Sequence, residues 1–234
     1  MDDRVISLSS TDRYALVGKS RSGKTSFGVV LASRIVPYDK KLANGWEVWW
    51  VDTKNDKRDI DRLHRWGFTD GYKGKTPRKL ITVPFEKGKP TATVEAVNEI
   101  CYKALDQHGV VLVIDEYRHC VPTTRTASPG ILHVHQRGAG RDVGMIGMTQ
   151  EPCEIPRQLI SQASHAFLFN LTYPYDIKYA RTMHPSYQTA KDRPGGVGKN
   201  SHGFYHSWLD GDGDYDYYPH QQAWAEKFIQ PVTL

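Results

Sequence analysis

Residues 18–25 read Gly18-Lys19-Ser20-Arg21-Ser22-Gly23-Lys24-Thr25, the spacing G-x-x-x-x-G-K-[ST] of a phosphate-binding P-loop. Four apolar residues, Tyr14, Ala15, Leu16 and Val17, precede it, and residues 25–35 follow with helical character. The motif therefore sits where a strand turns through glycines into a helix N-terminus. Such a turn aims successive backbone N–H groups inward, and the helix dipole adds partial positive charge. In this setting Lys24 reaches the β- and γ-phosphates and the Thr25 hydroxyl ligates Mg²⁺. Gly18, Lys19, Ser20, Arg21, Ser22, Gly23, Lys24, Thr25 and the adjoining Ser26 are thus the expected nucleoside triphosphate cradle.

Around this loop the chain alternates between strand and helix signals. Apolar runs at 14–17, 47–51, 110–114, 144–148 and 165–171 read as buried strands, with a short extra one at 80–83. Residues 57–66, 91–107 and 130–139 read as helices, the second with Val94, Val97, Ile100, Cys101, Ala104 and Leu105 on one face. This alternation predicts an α/β fold with a mostly parallel sheet covered on both faces. Past residue 172 the pattern changes: 192–201 is loop-like, and 202–209 and 215–218 flank the acidic turn 210–214 as a β-hairpin. A single domain over 1–234 is expected, with a core at about 14–171 and a C-terminal hairpin extension at 172–234.

The segment 110–116, VVLVIDE, has the form of a Walker B strand. Asp115 at its carboxyl end would hold Mg²⁺, and Glu116 would polarise the attacking water as general base. The next strand ends in Thr149-Gln150. Gln150 has two readings: a γ-phosphate sensor that orients water, or a surface amide at a strand end. The stretch 117–141 carries Arg118, Arg125, Arg137 and Arg141 with no acid. It reads either as a solvated basic face or as a surface that meets DNA phosphates and a neighbouring subunit's nucleotide.

Taken together, the P-loop, VVLVIDE and the segment Gly140-Arg141, Gly144, Thr149-Gln150, Pro152 resemble the FtsK/HerA superfamily of DNA-translocating ATPases. The resemblance covers about 14–171 and implies a RecA-like core of strand order 5-1-4-3-2, with the Gln150 strand beside the P-loop strand. It implies ATP and Mg²⁺ as cofactors, Gln150 as sensor, and Arg141 as an arginine finger acting in trans, with Arg137 second. Asp52 matches an acidic position common after the second strand. Arg21 departs from the family, which has a small glycine there.

The short lead before the P-loop strand makes the chain most similar to the viral genome-packaging ATPases of membrane-containing icosahedral viruses. The resemblance thus implies a double-stranded DNA translocase. It would work as a homo-oligomeric ring, pentamer or hexamer, in the host cytoplasm or at the virion packaging vertex, against a capsid-vertex or membrane protein. Secretion, conjugation or filamentous-phage extrusion ATPases and HerA-like helicases are the alternatives within motors. A nucleotide-dependent scaffold is the alternative outside them, and Glu116 and Arg141 argue against it.

Bulk properties agree with these classes without choosing among them. A hydrophobic content of 39% with 24% charged residues is that of a globular chain, and a net charge of +5 suits a polyanionic partner. The three cysteines, Cys101, Cys120 and Cys153, match no zinc spacing and read as free thiols. No apolar run approaches the roughly 18–20 residues that cross a bilayer. Asp210, Asp212 and Asp214 resemble a calcium loop, but Tyr215 and Gln221 stand where glycine and glutamate belong. The loop 195–200 imitates a P-loop but lacks its Ser/Thr. His133 and His135 read as helix surface or interface, and Trp46, Trp49 and Trp50 as core or subunit-interface packing.

Overall fold

The computed structural model describes residues 8–37, 41, 43–73, 75–83, 90–121, 126–183, 203–208, 215–218 and 224. In chain order the elements are β1 (Arg13–Val17), α1 (Lys24–Ile35), β2 (Glu47–Asp52), α2 (Lys57–Arg65), β3 (Thr69–Asp70), β4 (Arg78–Thr82), α3 (Pro90–Gln107), β5 (Val110–Asp115), α4 (Pro129–Arg137), β6 (Val143–Thr149), α5 (Gln158–Ser161), β7 (His165–Leu168), α6 (Pro174–Met183), β8 (Phe204–Trp208) and β9 (Tyr215–Tyr218).

Among the described residues nine strands form one sheet in the order β3-β4-β2-β5-β6-β1-β7-β8-β9. The five strands expected from the sequence are β2, β5, β6, β1 and β7, and they stand in the anticipated relative order. The sheet extends it by β4 and β3 at one edge and by β8 and β9 at the other. Pairing is parallel from β3 through β7 and antiparallel from β7 onward.

The parallel strands are apolar almost without interruption because both faces are covered. Their side chains alternate between two cores. Ala15, Val17, Trp49, Val51, Leu112 and Ile114 face one side, where Val97, Ile100 and Ala104 of α3 and Ile131 and Val134 of α4 pack. Tyr14, Leu16, Val48, Trp50, Val111 and Val113 face the other, with Phe27 and Leu31 of α1 and Leu63 of α2. Trp49 and Trp50 are thus split between the two cores, and Trp46 packs only partly at the second.

Two expectations need correction, and a third gains detail. The 165–171 run is strand only to Leu168, although residues 169–171 stay buried. Residues 174–183, within the stretch expected to hold only the hairpin extension, form α6, whose Ile177 and Ala180 join the first core. The expected hairpin is present as β8 and β9 and also joins the sheet: β8 pairs with β7, and its Phe204 lies 4.5 Å, ring centre to ring centre, from Phe27 of α1. Trp224 packs on the same Phe27 at 4.9 Å. The turn 210–214 and the loop 195–200 lie outside the described residues, as does Arg125.

His135 corrects another. It is buried, not surface, because α4 turns Ile131, Val134 and His135 toward the sheet. Its Nε2 lies 2.8 Å from the Tyr117 hydroxyl, and its carbonyl accepts from Arg13 Nη1 at 2.8 Å. Burial, assisted by the Arg13 charge, pushes its pKa down to about 4, so the imidazole is neutral at physiological pH.

The carboxyl ends of β1, β2, β5 and β6 lie along one edge of the sheet, where ligands bind in folds of this kind. Two glycines let β6 sit between its neighbours. A Cβ on Gly144 would stand 2.1 Å from the Ser10 carbonyl oxygen, and one on Gly147 would stand 2.6 Å from the Tyr117 ring.

Candidate active site

The P-loop leaves β1 and enters α1 through Gly23, whose φ of 97° is left-handed. No side chain caps α1, and its first turn carries no acid, a setting whose helix dipole favours an anion. The loop is anchored at two points: Gly18 N donates to Thr149 O at 3.1 Å, and Lys19 N donates to Asn170 O at 2.8 Å. A Cβ at Gly18 would stand 2.5 Å from the Phe169 Cβ, which accounts for the first glycine. Ser22 Oγ is buried without a hydrogen-bond partner, an orphaned polar group inside the cradle.

Lys24 is buried and folds back onto its own loop, its Nζ donating to Gly18 O at 2.5 Å and to Lys19 O at 2.9 Å. Burial brings its pKa down to about 8; Lys54 adds to the depression, while Glu116 and Asp115 oppose it. Thr25 and Ser26, half-buried, open α1 as the motif requires, and Ser20 and Arg21 are exposed. Arg21 takes a left-handed φ of 60°, a region that costs a non-glycine residue, so the site of the family's glycine is also conformationally demanding.

The two carboxylates expected at the end of β5 are both buried. Asp115 Oδ1 accepts from Lys54 Nζ at 2.8 Å. Glu116 Oε2 accepts from Gln150 Nε2 at 2.8 Å, and its Oε1 lies 3.4 Å from both Thr149 Oγ1 and Gln150 N. Gln150 is therefore no idle surface amide; it holds the carboxylate expected to be the general base. Glu116 adopts φ 105°, a strained conformation for a residue with a side chain, costing on the order of 1–3 kcal/mol.

Lys54 had no sequence signal. It belongs to the turn after β2, where Asp52 Oδ1 accepts Lys54 N at 3.0 Å and Asn55 N at 3.2 Å. Its partner Asp115 lies on another strand and 61 residues away, so no local motif marks the pair. Burial disfavours the Lys54 charge, but the Asp115 carboxylate outweighs it and holds the pKa above the usual lysine value. Asp52 is shifted upward chiefly by burial.

The residues present fit a magnesium nucleotide. The cradle excludes a Cβ, the helix N-terminus is uncapped, and the buried Asp115 is already matched with a cation. Among the described residues no cluster of three or more His, Cys, Asp or Glu could hold a metal by itself. A cleft of about 490 Å³ opens beside the loop, lined by Lys19, Ser20, Gln150, Glu151, Tyr173 and Asp176 among others.

Arg137 and Arg141 are not part of this edge. Arg137 closes α4 and Arg141 closes a 3-10 turn just before β6, so both lie at the amino end of the strand that carries Gln150 at its other tip. Both are exposed. Seven residues of strand span about 20 Å. Arg141 is thereby separated from its own chain's P-loop by the height of the sheet. Arg118 stands apart, 4.0 Å from Glu154.

No family model and no curated protein matches the sequence. Solved structures do match. The DNA-packaging ATPase B204 from Sulfolobus turreted icosahedral virus is similar with a TM-score of 0.65 at 16% identity, over 91% of this chain and 99% of that one. The genome packaging NTPase B204 from Sulfolobus turreted icosahedral virus 2, in complex with sulfate, gives 0.62 at 13% identity over 91% and 98%. Its complex with AMPPCP gives 0.60 at 13% identity over 89% and 97%. At these identities the likeness establishes a shared fold, across nearly the whole of each chain. No helix among the described residues is long and apolar enough to cross a membrane.

Proposed function

We propose that this chain is an ATP-hydrolysing motor that translocates double-stranded DNA, most specifically into a viral capsid. The observation that carries the reading is the Glu116–Gln150 hydrogen bond of 2.8 Å beside a P-loop. It joins a general base to a sensor in a fold shared with packaging ATPases. A protein that only bound nucleotide would have no use for a buried, strained carboxylate held by the tip of the adjacent strand.

In this reading Lys24, Thr25 and the leading N–H groups of α1 hold the phosphates, and the 490 Å³ cleft takes the ribose and base. Thr25 and Asp115 would hold a magnesium ion, which would supply neutralisation of the phosphate charge. Gln150 engages the Oε2 of Glu116 and so competes with a water for that oxygen. Hydrolysis requires the Gln150 amide to leave Glu116 and turn to the γ-phosphate side, after which Glu116 Oε2 accepts the proton of the attacking water. Arg141 is supplied by a neighbouring subunit in a homo-oligomeric ring, with Arg137 the second candidate. The acid-free segment 117–141 contributes phosphate contacts to DNA that are independent of sequence. Such a ring would operate in the host cytoplasm or at a virion vertex, against a capsid or membrane protein.

The test is ATP turnover with and without duplex DNA across a salt series. Stimulation by DNA that weakens with salt is expected, and Glu116→Gln should lower turnover by about 10²–10⁴-fold with ATP binding kept. Turnover indifferent to DNA would sink the translocase reading in favour of a secretion, conjugation or extrusion ATPase. Near wild-type turnover in Glu116→Gln would remove it as the base.

A further inference from the structure

We propose that Lys54 is a tethered cation that occupies the metal side of the nucleotide site and is exchanged for the divalent ion when nucleotide arrives. The proposal rests on the reading of Asp115 as the carboxylate on the magnesium side. It adds a residue that neither the P-loop nor the Walker B segment contains.

Geometry carries it. Lys54 Nζ lies 2.8 Å from Asp115 Oδ1, with the lysine side chain 21% exposed and the aspartate 2%. The ammonium therefore sits on the face of Asp115 that a cation would approach. Its backbone is fixed in place. Asp52 Oδ1 ties down the N–H groups of Lys54 and Asn55, Asn55 takes a left-handed φ of 53°, and Asn55 Nδ2 donates to Val83 O at 2.8 Å. Thr53 Oγ1 donates to the Asp115 carbonyl at 3.2 Å, a second link between the β2 turn and the tip of β5. The turn delivers one side chain to one carboxylate.

Charge accounts for its use. Asp52, Asp115 and Glu116 are buried at one edge with Lys24. Without Lys54, three carboxylates would face a single ammonium in a region of low dielectric, a costly arrangement. A divalent ion at Asp115 and an ammonium at the same oxygen repel each other, so the two compete. Once Asp115 turns to the metal, the ammonium loses its partner and remains beside the phosphates, where a positive charge favours the nucleotide. Lys54 thus opposes bare divalent ions and supports triphosphate. It leaves the empty site neutralised and admits the metal with its nucleotide. Release of Lys54 from Asp115 also loosens one of the two links between β5 and the β2 turn, which gives metal–nucleotide binding a route to the β2–β4 edge.

The effects on metal and nucleotide have opposite signs, which a merely structural role would not produce. Mn²⁺ serves as a paramagnetic divalent probe, and its binding is followed by electron paramagnetic resonance with no nucleotide present. A fluorescent ATP analogue is titrated separately in EDTA. Lys54→Gln, which keeps a hydrogen-bond donor and loses the charge, should bind Mn²⁺ about tenfold more tightly and metal-free nucleotide several-fold more weakly. Lys54→Arg should restore both toward wild type. Lys54→Met offers a second neutral variant should the glutamine fail to fold. Unchanged or weaker Mn²⁺ binding in the neutral variants overturns the proposal. Asp115→Asn separates this from the underlying reading. If it abolishes Mn²⁺ binding while Lys54→Gln leaves it unchanged, only the exchange role falls; if it changes nothing, Asp115 is not the metal carboxylate.

Discussion

The two ends of β6 are built on opposite principles. At its carboxyl end Gln150 closes onto Glu116 beside a Lys54–Asp115 pair, and the acids and Lys24 are buried and matched. At its amino end Arg137 and Arg141 stand exposed on a short turn. Buried charge must be paired where it lies, because desolvation penalises it otherwise. An exposed arginine pays no such penalty and is free to meet a partner's phosphate. The proposed ring uses this contrast: acids, lysine and cradle belong to one chain, and the arginine is offered to the next.

The largest effect is expected from Arg141→Ala. On the ring reading it lowers ATP turnover by about 10³-fold or more while nucleotide binding persists. Mixing it with Lys24→Ala restores part of the activity, because some interfaces then pair an intact cradle with an intact arginine. No recovery on mixing would mean that the arginine does not act across subunits. If Arg137→Ala and not Arg141→Ala shows the loss, the finger is Arg137.

A smaller effect should come from the other end. Gln150→Ala frees Glu116 from its 2.8 Å partner. Basal turnover without DNA should change by less than about tenfold, whereas stimulation by DNA should be lost, since the residue that withholds and releases the base is gone. Stimulation that survives in steady-state assays would assign Gln150 to orienting the carboxylate alone.

The smallest expected effect is on stability and lies behind the arginine end, where His135 sits in α4 two residues before Arg137. Its folded pKa of about 4 is below its unfolded value near 6.5. A histidine depressed in this way contributes stability that is fully present above pH 6.5 and is lost as pH falls toward 4, since the unfolded chain takes the proton first. The loss amounts to about 3 kcal/mol at pH 4. Thermal melts of wild type and His135→Gln from pH 7 to pH 4 should converge as pH falls. Parallel curves would mean that His135 titrates normally in the fold.

How legible the site was varied by residue. Gly18 to Thr25, Asp115 and Glu116 are local: a strand, a turn with fixed glycines and a strand end announce themselves over a few residues. Helix α6 was missed because Pro174, Tyr173 and Tyr175 imitate a loop, and only the packing of Ile177 and Ala180 on the sheet makes it a helix. The hairpin was legible as a hairpin, but not as part of the same sheet, because its partner β7 lies about 40 residues upstream. His135 has no partner at a fixed spacing in the chain and so reads as helix surface or interface, whereas Tyr117 and Arg13, which meet it in the fold, lie 18 and 122 residues away.

The P-loop, the alternation of buried strands and helices, and the acids at the tip of β5 can be read along the chain, since each depends on near neighbours. That Gln150 rests on Glu116, that Lys54 rests on Asp115, and that Arg141 lies across the sheet from its own cradle emerges from the folded chain alone. These are relations between strand ends brought together by sheet order, and pairing across a parallel sheet leaves no mark at a fixed spacing in the chain.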